Sequence, residues 1–210
     1  RPDGLKQIPA KVTLDEVTGK FKNWKESTSA SPITKRHLGH YQCLTRLVDM
    51  EKDDDEQDDA IENAKKILKA HFLIILTATK FGISLTRWQN VVNSLIEKEP
   101  GNPWIHRLRV IHLYENDYNL LIGSQYRTAN HSAEDAEAIN DGNFGARTAR
   151  SSLGPIGIDI LQYKYSRLLR LGHLKFSNDA TACYDRIVVN LASIVSRSFG
   201  IHSNVTTIQG

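Results

Sequence analysis

Cysteine is almost missing from this chain: Cys43 and Cys183 are the only two in 210 residues. Two thiols cannot build a disulfide framework, and their scarcity fits a reducing compartment, intracellular but not otherwise fixed as nuclear or cytoplasmic. Long apolar runs are missing too. The longest, Phe72-Leu73-Ile74-Ile75-Leu76, falls far short of the roughly 20 residues a membrane helix needs, so no membrane partner is expected. The opening residues Arg1-Pro2-Asp3-Gly4 carry no signal-peptide character and no initiator Met, which leads to the expectation of a fragment. Finally, the acidic run Glu51 to Asp59 contains no glycine. A calcium loop needs a central Gly and a closing Glu, so this run reads as a solvated acidic loop.

What is present is enough for a sizeable core, since 40% of the residues are hydrophobic, as one large or two small domains. The net charge of +3 hides an asymmetry. Residues 51–59 hold seven acids against one base, a local −6, which leaves +9 on the other 201 residues. A basic body with a separate acidic segment suits a polyanionic partner.

Along the chain, Thr13-Leu14-Asp15-Glu16 is a capping-box pattern, followed by Leu14, Val17, Phe21 and Trp24 on one helical face. Ser27 to Pro32 reads as a loop. A second helix begins near Arg36, with Leu38, Tyr41, Leu44 and Val48 facing inward. His37, His40 and Cys43 are spaced like metal ligands on that helix, but no second ligand cluster follows, so capping or packing is the simpler role. From Asp58 a long helix runs through Ile61, Ala64, Leu68, His71 and Ile75, with Gly82 as its stop. Beyond a short helical start at Thr86, a β-branched run ends on Lys98. The turn Pro100-Gly101-Asn102-Pro103 and the run Leu108 to Tyr114 then complete a hairpin, with Lys98 near the end of one strand and Arg109 near the start of the other. Such a pair can hold one anion from two sides, or can simply be two surface charges. Farther on, Lys175 to Ile187 reads as a short strand ending in the carboxylate of Asp179. An amphipathic helix through Tyr184, Val188, Leu191, Val195 and Phe199 follows at once, and a carboxylate at such a junction can hold a metal.

These elements stand in a familiar order. Trp88, Val91-Val92, Ile96 and Lys98, a turn, Arg109-Val110-Ile111-His112-Leu113, and a helix opening at Asp117-Tyr118-Asn119-Leu120-Leu121 resemble the fingers of reverse transcriptases of the non-LTR retroelement and group II intron kind. Asn143-Phe144-Gly145-Ala146-Arg147, followed by Arg150-Ser151-Ser152, resembles that family's Gln-x-Gly-Phe-Arg stretch, with Asn for Gln and Ala for Phe. Asp179, Cys183, Tyr184 and Asp185 match its first metal-binding motif. Ser31-Pro32 with His37 to Tyr41 resembles an entry segment of some retroelement polymerases, departing from it at Ile33-Thr34-Lys35. The likeness covers roughly residues 25 to 200.

The resemblance implies a mainly helical α+β fold, with reverse transcriptase-like fingers and an incomplete palm sheet. It divides the chain into an entry region 1–50, the acidic loop 51–59, a fingers-like region 60–152 with hairpin 88–114, and the start of a palm at 153–210. It implies an RNA template, a DNA primer and deoxynucleotides as partners and Mg2+ as cofactor, with Asp179 as catalytic metal ligand. Two ions about 3.5–4 Å apart carry such phosphoryl transfers. Lys98 and Arg109 would clamp the triphosphate, Arg by its planar fork and Lys as a point charge. The backbone of Ala180 would add a contact and Tyr184 would lie under the sugar. Arg147 and Arg150 would touch template or primer phosphates. Asp185 is more readily a capping or pairing group than a ligand. The family's second motif, paired Asp residues at a hairpin tip, has no counterpart after Asp179, so no primer extension is expected from these residues alone. Two alternatives stay open: a non-catalytic basic domain that binds nucleic acid or protein, and a metal-dependent nuclease recruiting Asp159 and His173.

Overall fold

A computed structural model describes residues 4–24, 32–49, 55–145, 147, 149–151, 153–176 and 187–209, with backbone alone for 32–38, 55–58 and 106. The fold is mainly helical with one two-stranded antiparallel sheet among the described residues. It divides into two compact units, residues 8–127 with 201–210 and residues 1–7 with 128–200. The boundary at 127/128 falls within a helix rather than between motifs.

In the first unit, α1 (Leu14–Asn23) starts on the expected capping box: the Glu16 amide donates to Thr13 Oγ1 at 3.2 Å, and the Thr13 amide donates to Glu16 Oε2 at 2.7 Å. Both bonds satisfy amides that a helix start leaves orphaned. Val17 and Phe21 are buried as expected, whereas Leu14 is 37% exposed. α2 (Pro32–Asp49) begins four residues earlier than its apolar pattern indicates, because proline is well placed in a first helical turn. Its buried positions include polar Gln42 and Thr45. α3 (Asp55–Phe81) also starts early and takes in the last part of the acidic run. Carboxylates at a helix N-terminus complement its dipole, so Asp55 to Asp59 is helix and not loop. The stop at Gly82 is as expected: its φ is +66°, and the Ile83 amide donates to Ala78 O at 2.9 Å across the turn.

Next come a short 3-10 turn, Thr86–Gln89, then β1 (Val92–Glu97) and β2 (Leu108–Leu113), paired from Val92 opposite Leu113 to Glu97 opposite Leu108. α4 (Asn116–Asp135) leaves the hairpin. A later helix, α7 (Ser203–Gln209), returns to the end of α3, where Asn204 Nδ2 donates to Lys80 O at 2.6 Å. The core joins Phe21 of α1, Ile75 and Ala78 of α3, Trp88 of the 3-10 turn, Leu121 of α4 and Ile208 of α7.

The second unit holds the end of α4, the loop after it, α5 (Leu153–Leu168) and α6 (Val189–Ser198). After α5, Arg170 takes the left-handed conformation at φ 53°, and the Leu171 amide donates to Ser166 O at 2.8 Å. Of the strand expected at Lys175 to Asp179, Lys175 and Phe176 are in no strand and the rest lies outside the described residues, as does the start of the helix expected after it; α6 runs from Val189, with Val188 extended as its N-cap. Neither α5 nor α6 buries any residue.

Candidate nucleotide and nucleic-acid interface

The hairpin is built by a local code. Pro100 and Gly101, with φ +81° at Gly101, make the tight turn in which the Asn102 amide donates to Glu99 O at 3.1 Å, the pattern of a type II turn. The Gly101 amide is also held by Glu97 Oε2 at 2.8 Å. Beyond β1 the ladder continues by one rung, as the Lys98 amide donates to Arg107 O at 2.9 Å. Ile96 pairs with Arg109. Since alternate residues share a face, Lys98 and Arg109 project from the same side of the ribbon and Glu97 from the other, while Arg107 lies in the 3-10 turn Ile105–Arg107 just before β2. All three cations are exposed. Arg107 is 3.6 Å from Glu99 Oε1, whereas Lys98 and Arg109 pair with no carboxylate among the described residues. Their charge is therefore available to an anion.

The base of this ribbon is fixed by a buried cluster that the sequence pattern does not reveal. Asp117, at the start of α4, is 3% exposed by side chain and accepts from Arg87, from Trp88 Nε1 at 2.9 Å and from its neighbour's amide, Tyr118 N, at 2.9 Å. His71 Nε2 of α3 lies 3.4 Å from the same carboxylate. The His71 ring in turn stacks on Tyr41 at 4.3 Å and on Phe21 at 5.7 Å between centroids. Burial alone would raise the Asp117 pKa. The bond to His71, the Arg87 charge and the Trp88 indole outweigh it and hold the carboxyl below its ordinary value. Arg87 and Trp88 precede β1 and Asp117 follows β2, so one carboxylate ties the entry and exit of the hairpin to the core helix α3. Along the paired strands Arg109 then stands about 13 Å and Lys98 about 20 Å from the end nearest that anchor. Trp88 and Asp117 were legible as motif residues; their bond to each other was not, because nothing local specifies a partner 29 residues away.

In the other unit, Arg147 is taken up internally. It donates to the carbonyls of Asn140 at 3.2 Å and Asn143 at 3.4 Å and pairs with Glu134 at 3.5 Å and Asp141 at 3.8 Å. It holds the loop in shape. Arg150 pairs with Asp141 at 3.2 Å and lies 5.4 Å over the Phe144 ring. That ring sits against Gly154, where an added Cβ would meet it at 2.8 Å. The glycine lets the loop close onto the start of α5.

Asp179, Ala180, Tyr184, Cys183 and Asp185 lie outside the described residues. Among the described residues no group of three or more His, Cys, Asp or Glu side chains could hold a metal ion. His40 and Cys43 are exposed on α2, and His37 is described by backbone alone. Asp159 pairs with Lys175, and His173 packs edge-on to Tyr163 at 5.9 Å. Grooves of about 310 Å³ between α1 and α4 and about 540 Å³ among α1, α2 and α3 include none of the site residues expected from sequence.

No family model, curated protein or solved structure matches this chain. Among the described residues no helix is long and apolar enough to cross a membrane.

Proposed function

We propose that this chain is the fingers and first palm segment of a reverse transcriptase, which binds a deoxynucleoside triphosphate and nucleic acid and extends no primer on its own. The hairpin register carries this reading: it sets Lys98 and Arg109 on one exposed face, without carboxylate partners, at the end of an anchored ribbon. The order of motifs from Trp88 to Asp179 supports it. In this reading Lys98 and Arg109 hold the triphosphate, Arg150 meets a template or primer phosphate, and Arg147 positions Arg150 by shaping their shared loop. Asp179, with Ala180 and Tyr184 beside it, would contribute the first magnesium ligand and the floor under the sugar. Binding of a deoxynucleoside triphosphate by calorimetry tests the clamp. The double variant K98A/R109A should weaken it by tenfold or more, given about 1.5–3 kcal/mol for a charged hydrogen bond. Primer extension by the 210-residue chain alone would contradict the inactive half of the reading.

One observation favours a second reading, a non-catalytic domain that binds a protein partner: α5 and α6 leave their apolar side chains in solvent. Triphosphate binding that ignores Lys98 and Arg109 would move the balance to that reading.

A further inference from the structure

Three helices of the first unit meet without closing on one another. α1, α2 and α3 each pack against the other two, yet they leave a groove of about 540 Å³ between them. Its apolar wall is made of Leu14, Val48 and Leu68. Leu14 and Val48 lie on faces that the sequence pattern assigns to the core, but Leu14 is 37% exposed and Val48 only half-buried. Gly19 of α1 also lines the groove, and a Cβ added there would meet nothing within 4 Å. A glycine inside a helix costs stability relative to alanine, and no neighbour among the described residues requires this one. The rim is cationic. Lys22 pairs with Asp49, and Lys66 with Glu62 at 3.1 Å, whereas Lys65 and Lys69 pair with no carboxylate among the described residues. The remaining acid of the lining is Asp15, in the first turn of α1, where the helix dipole favours it. With Lys22, Lys65 and Lys69 against Asp15 and Asp49, the lining carries a net +1.

We propose that this groove binds a fatty-acid carboxylate, its chain along Leu14, Val48 and Leu68 and its head group between Lys65 and Lys69. The volume falls in the range of small-ligand sites, roughly 300–1,000 Å³, and such sites are mostly apolar with a few placed polar groups. Lys65 and Lys69 are four residues apart on α3, so they share a face and can each donate to one oxygen of a single carboxylate. Leu68, buried and three residues from Lys65, sets the apolar floor against that face. One negative charge balances the lining, whereas a phosphate head, at about −1.5 to −2, exceeds it. A neutral lipid would leave both ammonium groups without a counter-ion. The groove shares no residue with the hairpin clamp, so the site stands apart from the polymerase reading.

The test is a calorimetric titration of decanoate, below its micelle concentration, into the full chain, with decanol as the uncharged probe. Wild type should bind decanoate at one site. K65A/K69A should weaken decanoate by about tenfold or more, the usual value of a charged hydrogen bond, and leave decanol unchanged. Both lysines are exposed, so this variant should keep the wild-type circular dichroism. G19L, which adds a side chain to the groove wall, should remove the binding of both probes. It should also keep the helical signal, since leucine favours a helix more than glycine does. No decanoate binding by wild type overturns the site. Equal decanoate affinity for wild type and K65A/K69A overturns the head-group contact and with it the choice of a carboxylate. Decanoate binding that G19L leaves intact places the probe elsewhere, on the exposed apolar side chains of α5, and overturns the groove.

Discussion

Residues 8–127 with 201–210 and residues 128–200 are comparably rich in apolar side chains, yet they treat them differently. In the first unit, apolar positions at helical spacing on α1, α3 and α4 meet in one core, and the buried charge of Asp117 is met by Arg87, Trp88 and His71. In the second, α5 carries Ile156, Ile160 and Tyr163 on one side and Ile158, Leu161 and Tyr165 on others, all exposed. A helix that is apolar all round belongs inside a larger assembly. Periodicity therefore predicts which face is apolar, but only a partner decides whether that face is buried.

The sharpest way to break the contrast is at Asp117. D117A leaves Arg87 and His71 facing each other without their counter-charge, and removing one member of a buried pair costs about 3–5 kcal/mol. Chemical denaturation followed by Trp fluorescence should show that loss, and D117N a smaller one. A loss below about 1 kcal/mol for D117A would make the cluster incidental to the fold. The same deletion can then be compared across the units. L121A, at a fully buried position of α4, should cost about 2–5 kcal/mol, whereas L161A on α5 should stay within about 0.5 kcal/mol, as exposed substitutions do. Equal costs would mean that α5 is covered in solution. Acidity sharpens the first half of the contrast. The Asp117 pKa is lower folded than its ordinary 3.8, so its contribution is complete above that value and disappears as pH falls through the lower folded one. Stability measured from pH 6 down to pH 2 should drop in wild type more than in D117N. A modest effect is expected at Gly82, whose φ of +66° and the 3.3 Å at which an added Cβ would meet Asn204 disfavour a side chain; G82A should cost about 1 kcal/mol.

Local chemistry was legible in the sequence and long-range chemistry was not. Thr13 with Glu16, Gly82 as a stop, and Pro100-Gly101 as a turn each specify their own geometry within a few residues, and all three hold. The acidic run misled at its end because like charges that repel in a loop become favourable at a helix start. The family resemblance casts Arg147 as a phosphate contact, and only the folded loop reveals that two carbonyls and two carboxylates take it up. The Asp117 cluster escaped for the same reason as the core contacts, since its four members come from α3, the 3-10 turn and α4.

The most direct test is a calorimetric titration of a deoxynucleoside triphosphate into the wild-type chain and into K98A/R109A. Measurable wild-type binding that falls tenfold or more in the double variant, with the circular dichroism unchanged, is the predicted result. Equal binding by the two proteins would contradict a triphosphate clamp on this hairpin.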